Sequence, residues 1–576
     1  MFNINYGSRL FIHLVLLMVL CGILFFSNLG TFPFFNKGEP REALVVQHIV
    51  HQGNWLFPLK MESDIPSKPP LFHWLGAITS LIWGEVTEAT VRFPSALLAT
   101  LGILAVYFLG RNLLGPEIGL LGAVILATSL DYQRLAIAAR VDMTLTLFVT
   151  LSLVLFFAIY RGYLTGGVWT YLFYLILGLG VLAKGPVSLI LSGMIIFCFL
   201  GLRKRWDYLY SLCFHRGAIL TVMVALGWYA LALVEGGEEF FNRQILHENL
   251  GRFFTYGKGG AGHQKPVYYY FPYLFSAGLP WSIFLPFMVV EWFKGRRFSD
   301  EGSLFLAVWV IVVFVFFSLS AGKRPPYILP LYPPLSLLVA IWFQKSIGTG
   351  KGEKIGLRLL GAASLAVGVI FLVSTLRGMW DGESTWLISA FVPELKPRDQ
   401  ANLIIVKEGL VRAGGLFSLF LFISSLLWIS LSRSLWTYSI HTLPTRLALI
   451  SLVSSLFAQG ISIPSIAEAR SYGPFMREVN RRIEREQVYL CSGAFDPGPV
   501  VFYRGKSIPA LQCTPEEMAE RLRSTGNYFI MSERDWQEID ARSGILPAPL
   551  LKSRGAGQGG NARLVLIRGK AIGVDR

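Results

Sequence analysis

Leu304–Leu319 reads LFLAVWVIVVFVFFSL, without one charged residue and with apolar side chains around the whole circumference of any helix it forms. A helix at a water interface keeps one polar face, and this stretch has none. A run near twenty residues crosses the roughly 30 Å hydrocarbon layer of a bilayer. Similar runs occupy Leu10–Phe26, Leu145–Ile159, Leu359–Leu376 and Leu416–Leu431. The 576 residues are 53% hydrophobic and only 15% charged, with a mean hydropathy of +0.52. A soluble fold would expose far too much apolar surface at that composition. The chain is therefore expected to be a mainly α, polytopic membrane protein.

Apolar spans are expected at 9–29, 90–110, 117–132, 143–160, 169–184, 186–202, 217–235, 268–292, 303–320, 326–344, 357–376, 412–432 and 444–463, about thirteen in all. The first should be permanent, because its exit Phe26-Ser27-Asn28-Leu29-Gly30 lacks a small-x-small cleavage site. The formal charge is +16. Short basic loops account for much of it: Arg203–Arg216, Lys294–Arg297 and Lys345–Arg358, after the sixth, eighth and tenth spans. Clusters of this kind hold loops in the cytoplasm, so no nucleic-acid partner is needed to explain them. One orientation satisfies all three, with the N-terminus inside and the C-terminus outside. It puts 30–89, 236–267 and 377–411 outside, the first two with room for short helices on the membrane surface.

Beyond residue 464 the chain changes character. Arg470–Gln487 reads as a polar helix, Val488–Cys491 and Tyr528–Met531 as strands, Thr514–Glu517 as a capped helix start, and Arg563–Ile567 as a final strand. The expected division is a transmembrane unit, 1–464, and a small α/β extracytoplasmic domain, 465–576. Cys21, Cys198 and Cys213 read as packing residues; Cys491 and Cys513 could pair if that domain lies outside.

Chemistry is densest just after the first span. Asn36-Lys37-Gly38-Glu39-Pro40-Arg41-Glu42-Ala43 is followed by Gly53-Asn54-Trp55-Leu56-Phe57-Pro58 and by Ser67-Lys68-Pro69-Pro70-Leu71-Phe72-His73-Trp74. Further on stand Arg140-Val141-Asp142, Leu182-Ala183-Lys184-Gly185-Pro186, His263-Gln264-Lys265-Pro266, Leu279-Pro280-Trp281-Ser282, and Lys323-Arg324 before Tyr327-Ile328-Leu329-Pro330. In this order the set resembles the polyprenyl-phosphate-sugar glycosyltransferases of the GT-C fold. It is similar to the lipid A aminoarabinose (4-amino-4-deoxy-L-arabinose) transferases, and more distantly to the protein O-mannosyltransferases. Their D-E-x-R-Y-A, G-D-W-x-x-P and K-P-P-x-x-Y/H-W patterns correspond to the first three stretches, and the resemblance covers about residues 1–345.

The resemblance implies transfer of a sugar from an undecaprenyl-type phosphate carrier to an extracytoplasmic acceptor, with lipid A or a related glycolipid foremost and a protein hydroxyl as the alternative. It implies residence in the bacterial cytoplasmic (inner) membrane. The leaving phosphate gains negative charge, which fixed cations stabilise. Arg41, Lys68 and Lys184 are the candidates, with Lys323 and Arg324 behind them. Glu39 and Asp142 are candidates for the carboxylate that deprotonates the acceptor. The chain departs from its relatives at Gly38, where they carry Asp, and at Ser67, where they carry Glu. That Glu and a His resemble a divalent-metal site; His263 matches the His, but a Ser hydroxyl replaces a carboxylate ligand poorly. A lipid-linked sugar transporter or flippase would also need many spans, but should show repeated halves with helices broken at midplane. No such repeat is legible.

Overall fold

In the computed structural model, residues 6–569 are described except 62–63, 252–263, 294–299, 346–350, 381, 383, 387–396, 440–441, 484–485, 492–494, 507, 512–514, 525, 544–546 and 555–562. The basic cluster Lys294–Arg297, His263 and Cys513 thus lie outside the described residues. Among those described, ten helices are long and apolar enough to cross a membrane. They are Gly7–Phe26, Glu88–Leu114, Val141–Tyr160, Gly167–Lys184, Gly217–Glu248, Glu301–Leu319, Pro325–Gln344, Gly352–Trp380, Gly415–Trp436 and Thr442–Arg470.

The other three expected spans differ for identifiable reasons. The helix expected at 117–132 is Pro116–Ala127, 12 residues long, and that at 186–202 is Val187–Leu202, 16 residues long. At 1.5 Å per residue these reach only about 18 and 24 Å. The third, 268–292, is broken: Val267–Ala277 and Trp281–Trp292 meet at 113°. Gly278 and Pro280 sit at the corner, where a continuous backbone ladder is not kept. Counted with the bent pair as one span, the total is 11.

Local sequence sets several helix ends that matter for the site. Thr87 and Thr90 form a reciprocal cap, each hydroxyl accepting the other's backbone N–H (3.3 and 2.9 Å), so the second span starts at Glu88. Val141–Tyr160 and Gly167–Lys184 form an antiparallel hairpin across a short turn, which brings Asp142 in the first turn of one beside Lys184 in the last turn of the other. Gly185, at φ +88°, ends the second helix where an L side chain would be strained. The loop after the first span holds the helices Glu39–Gln52 and Leu71–Trp83, as expected for 30–89.

Much of the bundle's outward surface is apolar. Val222, Met223 and Leu226 are exposed on one span, and Leu416, Leu419 and Phe422 on another. Such faces fit a lipid surround, because only helices satisfy their own backbone polar groups there.

The last hundred residues form a five-stranded sheet: β1 (Val488–Cys491), β2 (Ala510–Leu511), β3 (Tyr528–Ser532), β4 (Leu551–Lys552) and β5 (Leu564–Arg568), in the order β2-β1-β3-β5-β4. β1 pairs in parallel with β2 and β3, whereas β5 is antiparallel to β3 and β4. Alternate side chains feed two cores. Leu490, Ile530, Leu564 and Leu566 pack with Met476, Val479 and Val500 on one face; Phe529, Met531, Val565 and Ile567 pack with Met518, Leu522 and Ile539 on the other. Both faces are covered, which is why these strands read as continuous apolar runs. The helix expected at 470–487 spans Gly473–Arg482, and the capped start leads into Pro515–Ser524. Cys491 is buried, its Sγ 3.5 Å from Met518 Sδ.

The helices Glu88–Leu114 and Pro116–Ala127 cross closely because glycines meet. A Cβ at Gly119 would lie 2.6 Å from the Tyr107 carbonyl oxygen and 2.7 Å from the Arg111 nitrogen. Gly119→Leu should therefore overpack the crossing by about 1–3 kcal/mol and lower the thermal midpoint of the detergent-solubilised protein. Gly193→Leu, where nothing lies within 4 Å, should leave it within error.

Candidate active site

The first loop is positioned by a buried ion pair. Arg92, in the second span, is 0% exposed and donates from Nε to Glu39 Oε1 at 2.8 Å and from Nη2 to Glu39 Oε2 at 3.3 Å. Its Nη1 donates to the carbonyls of Leu29 and Phe32, each at 2.8 Å. The guanidinium stacks 4.2 Å from the Phe32 ring and 4.9 Å from that of Phe34. Asn36 completes the arrangement: its Oδ1 accepts the N–H groups of Gly38 and Glu39 (3.0 Å each), and its Nδ2 donates to Glu39. The N–H of Ala139 also donates to Glu39 Oε1, at 3.1 Å. Glu39 is 1% exposed. Its carboxylate is spent on holding the loop.

Arg41 and Glu42, next along that helix, face a narrow cleft lined by Arg41, Glu42, Lys68, Arg140, Val141, Asp142, Lys184, Arg324 and Tyr327. Lys68 enters from the loop before Leu71–Trp83 and pairs with Glu248 at 2.8 Å. The segment carrying Glu248 is docked there as well, because Gln244 Nε2 donates to the Pro66 carbonyl at 2.6 Å. Asp142 pairs with Lys184 and lies 3.5 Å from Arg140 Nε. The Lys184 ammonium also sits 4.6 Å above the Tyr327 ring. Arg134 pairs instead with Asp131, at 2.6 Å.

The structure thus gathers Arg41, Lys68, Asp142, Lys184 and Arg324 of the residues singled out in the sequence. It does not bring Glu39 or Lys323 into the cleft lining. Lys323 is buried and donates to the Ser320 carbonyl at 2.6 Å, within its own turn. Two lining residues escaped the sequence reading, Arg140 as a functional group and Glu42. The signal for Glu42 was present: it stands where the D-E-x-R-Y-A pattern has its aromatic residue, so a carboxylate there is a departure as notable as Gly38.

Glu42 has one neighbour on each oxygen. Arg41 Nη2 donates to Oε1 at 3.0 Å, and His73 Nε2 lies 2.8 Å from Oε2. Burial pushes this carboxyl up; Arg41, His73 and Arg140 outweigh it and hold it well below the usual carboxylate range. Arg41 is in turn raised, chiefly by Glu42.

Five lining cations face Glu42, Asp142 and the Glu248 carboxylate on Lys68, an excess of two positive charges among the described residues. The arrangement suits a phosphate better than a metal ion. Among the described residues no three His, Cys, Asp or Glu converge, and both cleft carboxylates are already held by cations. Among the described residues, which leave out His263, the divalent-metal site that the resemblance implied is not formed.

Residues 67–228 match the family model described as dolichyl-phosphate-mannose-protein mannosyltransferase. An undecaprenyl phosphate-alpha-4-amino-4-deoxy-L-arabinose arabinosyl transferase from Pseudomonas aeruginosa (strain PAO1) is 30% identical over 378 residues, covering 64% of this chain and 67% of that protein. The chain belongs to that family. Relatives of the same description from Edwardsiella ictaluri and Pseudomonas fluorescens (strain Pf0-1) are also 30% identical, over 58% and 63% of this chain; the chain spans 59% and 66% of their lengths, short of two thirds. The fold is that of ArnT from Cupriavidus metallidurans, solved bound to undecaprenyl phosphate, with a TM-score of 0.72 at 18% identity over 97% of this chain and 98% of the other. This family member thus carries its charged cleft at the ends of its long apolar helices.

The Arg92–Glu39 pair yields a direct test. Arg92→Ala leaves a buried carboxylate without its cation and should cost about 3–5 kcal/mol, read as a large fall in the unfolding temperature of the solubilised protein. Arg92→Lys should not restore it, because an ammonium cannot reproduce the four-bond fork.

Proposed function

We propose that this protein transfers a sugar, of the aminoarabinose kind, from an undecaprenyl-type phosphate to a lipid A-like glycolipid acceptor at the outer face of the bacterial cytoplasmic membrane. The observation that carries the reading is the cleft's excess of two positive charges at the ends of apolar helices. The donor phosphodiester bears one negative charge and leaves as a monoester bearing two. Cations already fixed around it favour the leaving group over the bound donor. The carrier's prenyl tail can remain in the bilayer while its phosphate meets Arg41, Lys68, Lys184 and Arg324. Of the two carboxylates first considered as base, Asp142 faces the cleft, whereas Glu39 is committed to Arg92. The named carriers and sugars of the relatives support the same choice of donor.

The proposed division is a transmembrane unit over 1–464 and an extracytoplasmic α/β domain over 465–576, with the N-terminus in the cytoplasm. Two observations support that orientation. The sheet-bearing segment touches the cleft end of the bundle: the Tyr503 hydroxyl accepts the Phe34 N–H and donates to Glu88, both at 2.8 Å. At the far ends of the same helices, Arg161 and Arg203 pair with Glu301 beside the basic turn Arg203-Lys204-Arg205. Short basic turns of this kind stay in the cytoplasm.

Purified protein in nanodiscs, given labelled undecaprenyl-phosphate sugars and a panel of lipid A-like and protein acceptors, should transfer label to the glycolipid. Transfer to protein instead would redirect the acceptor assignment, and no transfer from any polyprenyl-phosphate sugar would end the reading. Lys68→Ala and Arg41→Ala should each lower kcat/KM for the donor by roughly 30- to 1000-fold, about 2–4 kcal/mol of leaving-group stabilisation, with the melting temperature kept.

In a cysteine-free background, single cysteines at His51 and Lys506 should react with an impermeant thiol reagent in intact spheroplasts, and one at Ser211 should not. The opposite pattern would invert the topology.

A further inference from the structure

Gly38 is a glycine that the backbone does not require. Its φ of −86° and ψ of −40° belong to the right-handed helical region, open to any L-residue. Its N–H donates to Asn36 Oδ1 at 3.0 Å, and its carbonyl accepts the Glu42 N–H at 3.3 Å. Any other residue would make both bonds equally well. What the missing side chain supplies is room. A Cβ at position 38 would lie 1.6 Å from Arg140 Nη1, 2.7 Å from its Cζ and 3.4 Å from its Cδ. The guanidinium occupies the volume that a side chain at 38 would fill. Glu39 holds the two segments together there: the N–H of Ala139, just before Arg140, donates to Glu39 Oε1 at 3.1 Å.

Arg140 differs from the cations beside it. Arg41 donates to Glu42 through Nε and Nη2, Lys68 donates to Glu248, and Lys184 to Asp142. Arg140 comes no closer to Asp142 than 3.5 Å, and its side chain makes no hydrogen bond among the described residues. The carboxylates nearby already have partners: Asp142 has Lys184, and Glu42 has Arg41 and His73. Arg140 therefore belongs to the cleft's surplus of positive charge. A guanidinium carries five N–H donors, and a side chain only 21% exposed is a costly place to leave them unused.

We infer that Gly38 and Arg140 work as a unit: the empty place at 38 lets Arg140 present its guanidinium to the phosphate of the lipid carrier, so Arg140 binds that phosphate and Gly38 positions Arg140. The inference rests on the proposed transfer reaction. A guanidinium and a phosphate match as a planar fork and a pair of oxygens, with two parallel N–H···O bonds. Arg41, Lys68 and Lys184 each divide their donors between a carboxylate and a ligand. Arg140 gives up no hydrogen bond to the protein when a phosphate arrives. Its attraction grows as the carrier's phosphate passes from one negative charge to two on leaving the sugar. Gly38 touches no ligand in this scheme. It acts through Arg140, because a methyl group at 38 would push the guanidinium from its place, and a carboxylate there would pair with it.

The test measures binding to the full chain in nanodiscs of undecaprenyl phosphate, and of undecaprenol as the same tail without the phosphate. Arg140→Ala should weaken binding of undecaprenyl phosphate by roughly 10- to 100-fold and leave undecaprenol unchanged. Gly38→Ala should weaken it in the same direction with the melting temperature kept, because only the far end of a flexible side chain has to move. The double variant should bind no more weakly than Arg140→Ala, since two substitutions that remove one contact do not add. Gly38→Asp should bind at least as poorly as Gly38→Ala. Arg140→Lys keeps a charge beside Asp142 and serves if Arg140→Ala fails to fold; it should still bind more weakly than the parent, because an ammonium does not make the paired contact. Parent-like binding in Gly38→Ala or Arg140→Ala, losses that add in the double variant, or an equal loss for undecaprenol would overturn the inference and leave the reaction standing. A parent that binds no undecaprenyl phosphate would overturn the reaction reading, and this inference with it.

Discussion

The cleft depends on a guanidinium that never touches it. Arg92 is anchored in a membrane span, yet every hydrogen bond of its fork goes to the segment Leu29–Glu39. A buried charge without a partner is expensive, and so is a buried carboxylate; each residue is tolerable only because the other is there. The pair therefore fixes where the first loop leaves the bundle and how its helix is aimed. Arg41 and Glu42 project toward Asp142 and Lys184 because Glu39, at the start of the same helical turn, is locked.

From that lock the chemistry follows by helix ends. Asp142 begins one helix and Lys184 ends its antiparallel neighbour, so a hairpin of two spans delivers opposite charges to one place. Lys68 and Arg324 arrive from the turns preceding other helices. Arg41, Lys68, Arg140 and Lys184 are each beside a carboxylate, so this part of the lining is set before any ligand enters. Such preorganisation lets the groups act without reorientation as charge develops.

Much of this was legible in the sequence. Lys68, Arg41, Asp142, Lys184 and Arg324 could be singled out because charged residues at the borders of long apolar runs are conspicuous. The strands around Val488 and Tyr528 announced themselves by continuous apolar letters between turns. What stayed hidden was pairing over distance. Glu39 looked like a base because its partner, Arg92, is 53 positions away inside an otherwise apolar span. Glu42 drew no notice because its partner His73 lies 31 positions on, in the next helix. The spans at 117–132 and 186–202 looked full length because hydropathy ignores where a helix stops, and the corner near Pro280 was invisible because apolar residues continue on both sides.

The Tyr503 hydroxyl has a consequence for how such proteins can be recombined. It joins the sheet-bearing part to Phe34 and Glu88, and the rings of Phe502 and Tyr503 pack on that of Phe34. Phe34 is also one of the two rings beneath Arg92. The last hundred residues are therefore no freely exchangeable appendage. A chimera that grafts this part from a relative inherits a foreign seam at the floor of the first loop, and has to carry matching residues at 34, 88 and 503 together. The two parts of the chain are heritable as a set.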